Sequence, residues 1–381
     1  MNVNDFVVPQ LHGMRGYIPT PTAGQMAQKL GLPLSAMIKL DANENVMPPS
    51  RVVLDAMAST PPNLYPDPDQ NLLRDALSNY LGVDRKHILC ANGGDEILHL
   101  IFRIFVGPGD GVIDCPPTFG VYAHEAAQAH ANYVAVPRRA DFSIDVEAVE
   151  AAVRNTPRAK VLFVTNPNNP DGSVTSPADL RRLMALPVIV VVDEAYIELS
   201  SQPNVVQHAV ASDNVIVVRT LSKLVGLAGM RVGYGVFPAN IVGFVWGVKP
   251  YFAPSAPSQH VAVAALSDRA HIDATKRAIV AERNRLCETL DELGWLTPVP
   301  SETNFVLCKV THPGMVGQPK PAGALLHGAL EQRGILTRFF GGVLGDYVRI
   351  SIGRPDQMDA LVAALKDIGA HGTNLTPQPA I

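Results

Sequence analysis

RTLSKLVGLAGMRVGY, running from Arg219 to Tyr234, is the stretch whose reading decides the fold. An apolar run, Val215-Ile216-Val217-Val218, leads into it and predicts a buried strand ending at Arg219-Thr220. A hydroxyl and an amine follow at once, Ser222 and Lys223, and a Gly-rich segment then leads to Arg231. A lysine at the mouth of a buried strand is desolvated, which frees its amine to attack carbonyls. A hydroxyl and a guanidinium close by suit a phosphate dianion. An amine nucleophile beside a phosphate site points to pyridoxal phosphate held as a Schiff base. A bare Ser-Lys pair would be an ordinary surface loop; the surrounding stretch argues otherwise.

Working outward, short β-branched runs alternate with helix-like segments from about residue 84 to 236. The expected strands include Val112 to Cys115, Tyr133 to Val136, Val161 to Val164, Val188 to Val192 and Val215 to Val218. Helical patterns such as Ile97 to Phe105 and Pro177 to Met184 lie between them. Nearly all-apolar strands separated by helices predict an α/β fold, with a mostly parallel sheet between helix layers. Ligands of such sheets sit beyond the carboxyl ends of the strands. After about Pro257 the texture changes. A single long helix is expected over Ala265 to Leu293, stopped by Gly294. A strand (Asn304 to Val310), a helix (Ala322 to Gly334), strands at Ile335 to Phe339 and Tyr347 to Ile352, and a helix (Pro355 to Ile368) complete a smaller α+β unit. The expected division is an N-terminal arm, 1–45, joining the small domain 266–381, with a large domain, 46–265, between them.

Composition narrows the partners. The chain has 381 residues, 47% of them apolar and 17% charged, which is ordinary for a soluble globular protein. A formal net charge of -4 without a dense Lys/Arg run argues against nucleic acid or an anionic membrane as partner. No apolar stretch approaches the length of a membrane span, and no signal peptide is visible. Cys90, Cys115, Cys287 and Cys308 are scattered, as in a reducing compartment, so a cytoplasmic location is expected. The histidines form no i,i+4 pair, so no metal site is expected.

Unusual polar residues follow the expected strands. Asn92-Gly93-Gly94-Asp95-Glu96 precedes a helix and leaves backbone N–H groups free for an anion, although Asp95 could simply cap that helix. Pro116-Pro117-Thr118-Phe119 sets an aromatic at a strand end, where it can stack on a planar ring or pack as core. Asn166-Pro167-Asn168-Asn169-Pro170-Asp171-Gly172 is a stiff turn with amides available to a phenolate oxygen. Asp193 closes an all-apolar strand and needs a cation there. A pyridinium N–H is a suitable partner that would depress the pKa of Asp193; capping the next segment is the other reading.

In this order and spacing the segments resemble the histidinol-phosphate aminotransferase family, within the class I/II aminotransferases of fold type I. The resemblance covers most of the chain. It includes Gly16-Tyr17-Ile18-Pro19, KLDANEN (Lys39 to Asn45), Tyr65-Pro66-Asp67-Pro68, NGGDE, PPTFGVY, NPNNPDG, VVDEAY, TNFVL and VRISIG. It implies that Lys223 is the Schiff-base lysine and proton shuttle, and that Asp193 pairs with the pyridine nitrogen. Asn169 and Tyr196 would bond the phenolic oxygen, and Phe119 would stack on the ring. Gly94, Asp95, Ser222 and Arg231 would hold the phosphate. Tyr65 would reach the phosphate in a neighbouring subunit, which makes the protein a homodimer with shared sites. Arg349 would grip the substrate carboxylate, with Tyr17 and Arg338 as further substrate contacts. The activity implied is exchange of an amine between glutamate/2-oxoglutarate and histidinol phosphate. Aromatic transamination, threonine-phosphate decarboxylation and non-catalytic cofactor binding are the alternatives.

Three departures stand out. Asn43-Glu44-Asn45-Val46-Met47-Pro48-Pro49 replaces the frequent N-E-N-P-x-G-P, Phe119 replaces a common tyrosine, and Asp171 replaces a frequent threonine. The last has no effect on the chemistry that the sequence makes visible.

Overall fold

The computed structural model describes residues 1–8, 11–14 and 20–371. Its thirteen strands are β1 (Ile38–Lys39), β2 (Ile88–Asn92), β3 (Gly111–Asp114), β4 (Asn132–Ala135), β5 (Ala159–Thr165), β6 (Ile189–Asp193), β7 (Val215–Thr220), β8 (Val232–Val236), β9 (Leu296–Pro298), β10 (Phe305–Val310), β11 (Ile335–Leu336), β12 (Arg338–Phe339) and β13 (Tyr347–Ser351). The main sheet has seven strands in the order β2-β8-β7-β6-β5-β3-β4. From β7 to β4 every pairing is parallel, while β8 runs antiparallel to both of its neighbours.

Alternation along the central strands explains why both faces are covered. Val161, Phe163, Val191 and Ile216 enter one apolar cluster, which the helix Gly94–Phe105 completes with Ile97, Leu98 and Ile101. Leu162, Val164, Val190, Val192, Val215 and Val217 enter the opposite cluster, with Leu180 and Leu183 from the helix Pro177–Met184. Period-2 side chains that are apolar on both faces leave the sheet nowhere to go except between helices.

A four-stranded antiparallel sheet, β12-β13-β10-β9, packs against the helices Arg269–Leu293 and Pro355–His371 through Ile272, Ile279, Leu286, Leu361 and Leu365. The N-terminal segment meets this unit where β1 pairs in parallel with β11.

Two expectations are corrected. The pattern from Ala265 to Leu293 is not one helix. Ala256–Ser267 ends at Asp268, whose backbone leaves the helical region (φ -91°, ψ 67°) and whose carboxylate accepts from the His271 N–H to start Arg269–Leu293. Ile335 to Phe339 also divides, with β11 joining β1 and β12 joining β13. Among the described residues no helix is long and apolar enough to cross a membrane.

Candidate active site

Strands β5, β6 and β7 end on one side of the sheet, and the loops that follow them wall a cavity of about 640 Å³. Gly94, Asp95, Phe119, Asn169, Asp193, Tyr196, Ser222, Lys223, Arg231, Arg338 and Arg349 all line it. Residues distant in sequence are thus gathered where a parallel sheet presents its ligand site.

Asp193, the last residue of β6, is 5% exposed. Its Oδ2 accepts from the Tyr122 hydroxyl at 2.7 Å and its Oδ1 from the Ala195 N–H at 3.0 Å. Burial pushes its pKa up to about 6, outweighing the two hydrogen bonds that pull it down, and the nearby Asp95 and Glu194 add to the rise. A depressed pKa, as the sequence suggested, presupposes a cation that no described side chain provides. Among the described residues no cationic side chain is bonded to Asp193, so the carboxylate stands ready for a positively charged ligand atom.

Lys223 is half-buried across the cavity. Its Nζ donates to the Asn43 carbonyl at 3.4 Å and lies 5.5 Å from the centre of the Tyr196 ring. Asn169 Oδ1 accepts from Arg349 Nη1 at 2.5 Å, and Arg349 Nη2 donates to the Asp41 carbonyl at 2.8 Å. The Arg349 guanidinium also lies over Phe305 and Phe340, and Arg338 approaches Phe340 from β12. Two guanidiniums therefore border the same wall of the cavity.

The opposite end is made for an anion. The helix Gly94–Phe105 begins at Gly93, which caps it without a side chain. Asp95 does not cap this helix; its carboxylate pairs with Arg231 Nη2 at 3.1 Å. Orphan N–H groups and a guanidinium thus converge there. The closeness is strict. Gly93 has φ +90°, and a Cβ on it would stand 2.4 Å from Arg231 Nη2. A Cβ on Gly233 would stand 2.2 Å from the Gly93 carbonyl carbon.

Asp171 has a structural task that its sequence position did not reveal. Fully buried, it accepts from the Asn168 amide and from the Ser173 N–H. Asn168 in turn donates to the Pro117 carbonyl and accepts from the Thr118 hydroxyl, which ties down the loop carrying Phe119. Thr118 touches Thr165 at 3.1 Å, and Thr165 touches Tyr122 at 2.9 Å, so the same polar chain ends on Asp193.

Comparison with known proteins names this arrangement. Residues 35–365 match the family model "Aminotransferase class I and II". The chain belongs to that family. A chloroplastic histidinol-phosphate aminotransferase of Nicotiana plumbaginifolia is 39% identical to this aminotransferase over 363 residues, covering 95% of this chain and 86% of its own. The histidinol-phosphate aminotransferase of Roseiflexus castenholzii is 39% identical over 374 residues, 96% of this chain and 99% of its own. The crystal structure of histidinol-phosphate aminotransferase from Sinorhizobium meliloti, in complex with pyridoxal-5'-phosphate, superposes with a TM-score of 0.86 at 28% identity, covering 96% of this chain and 97% of that one.

One expected residue does not line this aminotransferase's cavity. Tyr65 is 81% exposed and stacks on Phe252 at 4.4 Å, away from Lys223. Tyr17 lies outside the described residues. Conversely, Asn43, Tyr122 and Thr165 take part without having been singled out. Asn43 and Tyr122 stand inside quoted words, KLDANEN and PPTFGVY, but no local pattern tells which distant side chain either meets.

Proposed function

We propose that this aminotransferase is a pyridoxal-phosphate-dependent histidinol-phosphate aminotransferase of histidine biosynthesis. It would convert L-histidinol phosphate and 2-oxoglutarate to 3-(imidazol-4-yl)-2-oxopropyl phosphate and L-glutamate, and the reverse. The observation that carries this reading is one cavity holding a lysine amine, an uncompensated buried carboxylate, an anion-binding helix start and two guanidiniums. The near full-length similarity to histidinol-phosphate aminotransferases supports the substrate pair.

The chain's residues fit the cofactor. Asp193 lacks the cation its burial calls for, and the Gly93-Gly94 backbone lies bare beside Arg231. In this reading Asp193 meets the pyridine nitrogen, Asn169 and Tyr196 the phenolic oxygen, and Phe119 the ring face. Gly94 and Asp95 (through backbone N–H groups), Ser222 and Arg231 hold the phosphate. When bound, pyridoxal phosphate supplies an aldehyde that captures the amine and a ring that stores the electron pair of the broken C–H bond. Lys223 Nζ takes the proton from the donor's α-carbon and carries it across the cavity. Arg349 orients the donor by its carboxylate, bidentate geometry being the strength of a guanidinium. Arg338 and Tyr17 contact the other end of the substrate. The ionised Asp193 keeps its partner protonated throughout, and the amine passes in two half-reactions, which predicts ping-pong kinetics.

The same reading makes the protein a cytoplasmic homodimer. Leu64, Tyr65, Leu72 and Tyr251 are each more than 60% exposed, apolar surface that a second copy would cover. Tyr65 would then reach the partner's phosphate site. The domain division at 45/46 and 265/266 belongs to this reading also.

The test is direct. The holoenzyme is mixed in turn with glutamate, histidinol phosphate, phenylalanine and threonine phosphate, following the visible band and the products. The expected result is amine transfer without carbon dioxide release, with the highest kcat/KM for histidinol phosphate. A higher kcat/KM for phenylalanine, or decarboxylation of threonine phosphate, would overturn the assignment.

A further inference from the structure

Asn43 lies outside every role assigned above, yet five hydrogen bonds converge on it. It is 2% exposed and adopts the left-handed conformation, φ +54°, which asparagine tolerates better than most residues. That backbone turns its carbonyl toward Lys223 Nζ (3.4 Å) and Asn304 Nδ2 (2.9 Å), and its side chain between Ser351 and Tyr196. One residue therefore joins the N-terminal segment to β13 and to two side chains of the cavity.

The hydrogen bonds fix the direction of each proton. The Asn43 N–H donates to Ser351 Oγ at 2.9 Å, so the Ser351 hydroxyl is free to donate, and it does so to Asn43 Oδ1 at 2.9 Å. The amide is thereby locked with its Nδ2 toward Tyr196, donating to the phenol oxygen at 3.1 Å. The reverse amide orientation would leave the Ser351 proton without an acceptor among the described residues. With a lone pair engaged by Asn43, the Tyr196 hydroxyl keeps its own hydrogen for the cavity, whose charged lining is Lys223, Arg219, Arg231, Arg338 and Arg349 with Asp41, Glu44, Asp95 and Asp193.

We infer that Asn43 is the positioning residue of the reaction centre: its amide forces Tyr196 to act as a hydrogen-bond donor toward the cofactor's phenolic oxygen, while its carbonyl steadies the Lys223 amine. This rests on the pyridoxal-phosphate reading above. The consequence is chemical. A donor on the phenolic oxygen draws charge from it and weakens its hold on the proton of the neighbouring lysine-bound nitrogen. Losing that donor makes this proton harder to remove.

Asn43→Asp is nearly isosteric and tolerates the same backbone, but it presents Tyr196 with an acceptor. The phenol must then donate to residue 43 and turn its hydrogen away from the cofactor. The experiment is a spectrophotometric pH titration of the visible band of the holoenzyme, with cofactor content measured alongside. The expected result is a midpoint raised by about one unit or more in Asn43→Asp, in the same direction as Tyr196→Phe. The double variant should lie close to Tyr196→Phe alone rather than at the sum. Asn43→Gly keeps the left-handed backbone and the carbonyl and leaves the phenol its hydrogen. Its midpoint should stay within about half a unit of wild type even though its urea midpoint falls. Equal shifts in the Gly and Asp variants, no shift in the Asp variant, or full additivity with Tyr196→Phe would each overturn the inference. Should Asn43→Asp not fold, Ser351→Ala takes its place: without the hydroxyl that holds Asn43 Oδ1, the amide can turn that oxygen to Tyr196, so a raised midpoint supports the inference and an unchanged one overturns it. Failure of wild-type enzyme to transfer an amine would instead count against the proposed function.

Discussion

Asp193 shows how a single residue can be unfavourable for the chain and necessary for the reaction. Its folded pKa is pushed up to about 6 from an ordinary 3.8, chiefly by burial. A carboxyl raised in this way contributes stability that is fully present below pH 3.8 and lost as pH climbs through 6, to about 3 kcal/mol in the cofactor-free protein. Asp193→Asn removes that loss. Cofactor-free Asp193→Asn should therefore exceed wild type by about 1–3 kcal/mol at pH 7.5 in urea unfolding, with no advantage at pH 4. The holoenzyme should suffer the opposite fate. A neutral amide cannot keep the pyridine nitrogen protonated, so kcat should fall by several orders of magnitude, roughly 4 to 6 kcal/mol at ~1.4 kcal/mol per decade. A loss under about tenfold would return Asp193 to the role of a local cap for Ala195. Lys223→Ala makes the complementary statement: the visible band and turnover should both vanish while cofactor stays bound through its phosphate. Near wild-type transamination by that variant would remove Lys223 from the chemistry.

Among the elements, the approach of β8 to the start of the helix Gly94–Phe105 leaves no room for a side chain. Gly233 faces the Gly93 and Gly94 backbone, and a methyl group there would stand 2.2 Å from two backbone atoms that no rotamer change can move. Gly233→Ala should cost about 3 kcal/mol or more in urea unfolding, in the range of other overpacked cores, and weaken cofactor retention along with it. Cofactor affinity unchanged in a destabilised protein would separate the strand contact from the anion site. This dependence also shows what the sequence could disclose. The valine runs of β5, β6 and β7 were legible because strands buried on both faces admit little else, and Asp193 and Lys223 stood out as polar ends of apolar runs. The antiparallel direction of β8 was not legible, since Val-Gly-Tyr-Gly-Val reads the same either way. Nor was the break at Asp268, where the apolar pattern continues across a non-helical residue. Two-residue ladders such as β1 with β11 exist only because distant chain segments meet. The polar tie from Asp171 to Asp193 has the same character: only its first link, Asn168 to Asp171, lies within one turn, and the rest join segments distant in the chain, so no window of sequence contains it.

For the whole molecule, the question is where Tyr65 acts. It is held in a stiff Tyr-Pro-Asp-Pro segment, stacked on Phe252 and 81% exposed, and it does not reach the cavity of its own chain. A side chain that serves a neighbour's site can be supplied by a subunit whose own site is dead. Lys223→Ala subunits lack the amine but retain Tyr65, whereas Tyr65→Ala subunits retain the amine but lack the phosphate contact. In a mixed dimer, the site built on the intact Lys223 receives its tyrosine from the other subunit, and one complete site forms. Mixing the two variants should raise activity above both parents, toward about half the wild-type value per mixed dimer, one of its two sites being whole. The mixed species is to be verified by native mass spectrometry before the assay. Verified exchange without recovery would mean that Tyr65 serves its own chain or no site, and the shared-site dimer would have to be abandoned. Recovery that disappears when Tyr65→Ala is introduced into the Lys223→Ala subunit as well would trace the effect to this one hydroxyl-bearing ring rather than to a general gain from pairing.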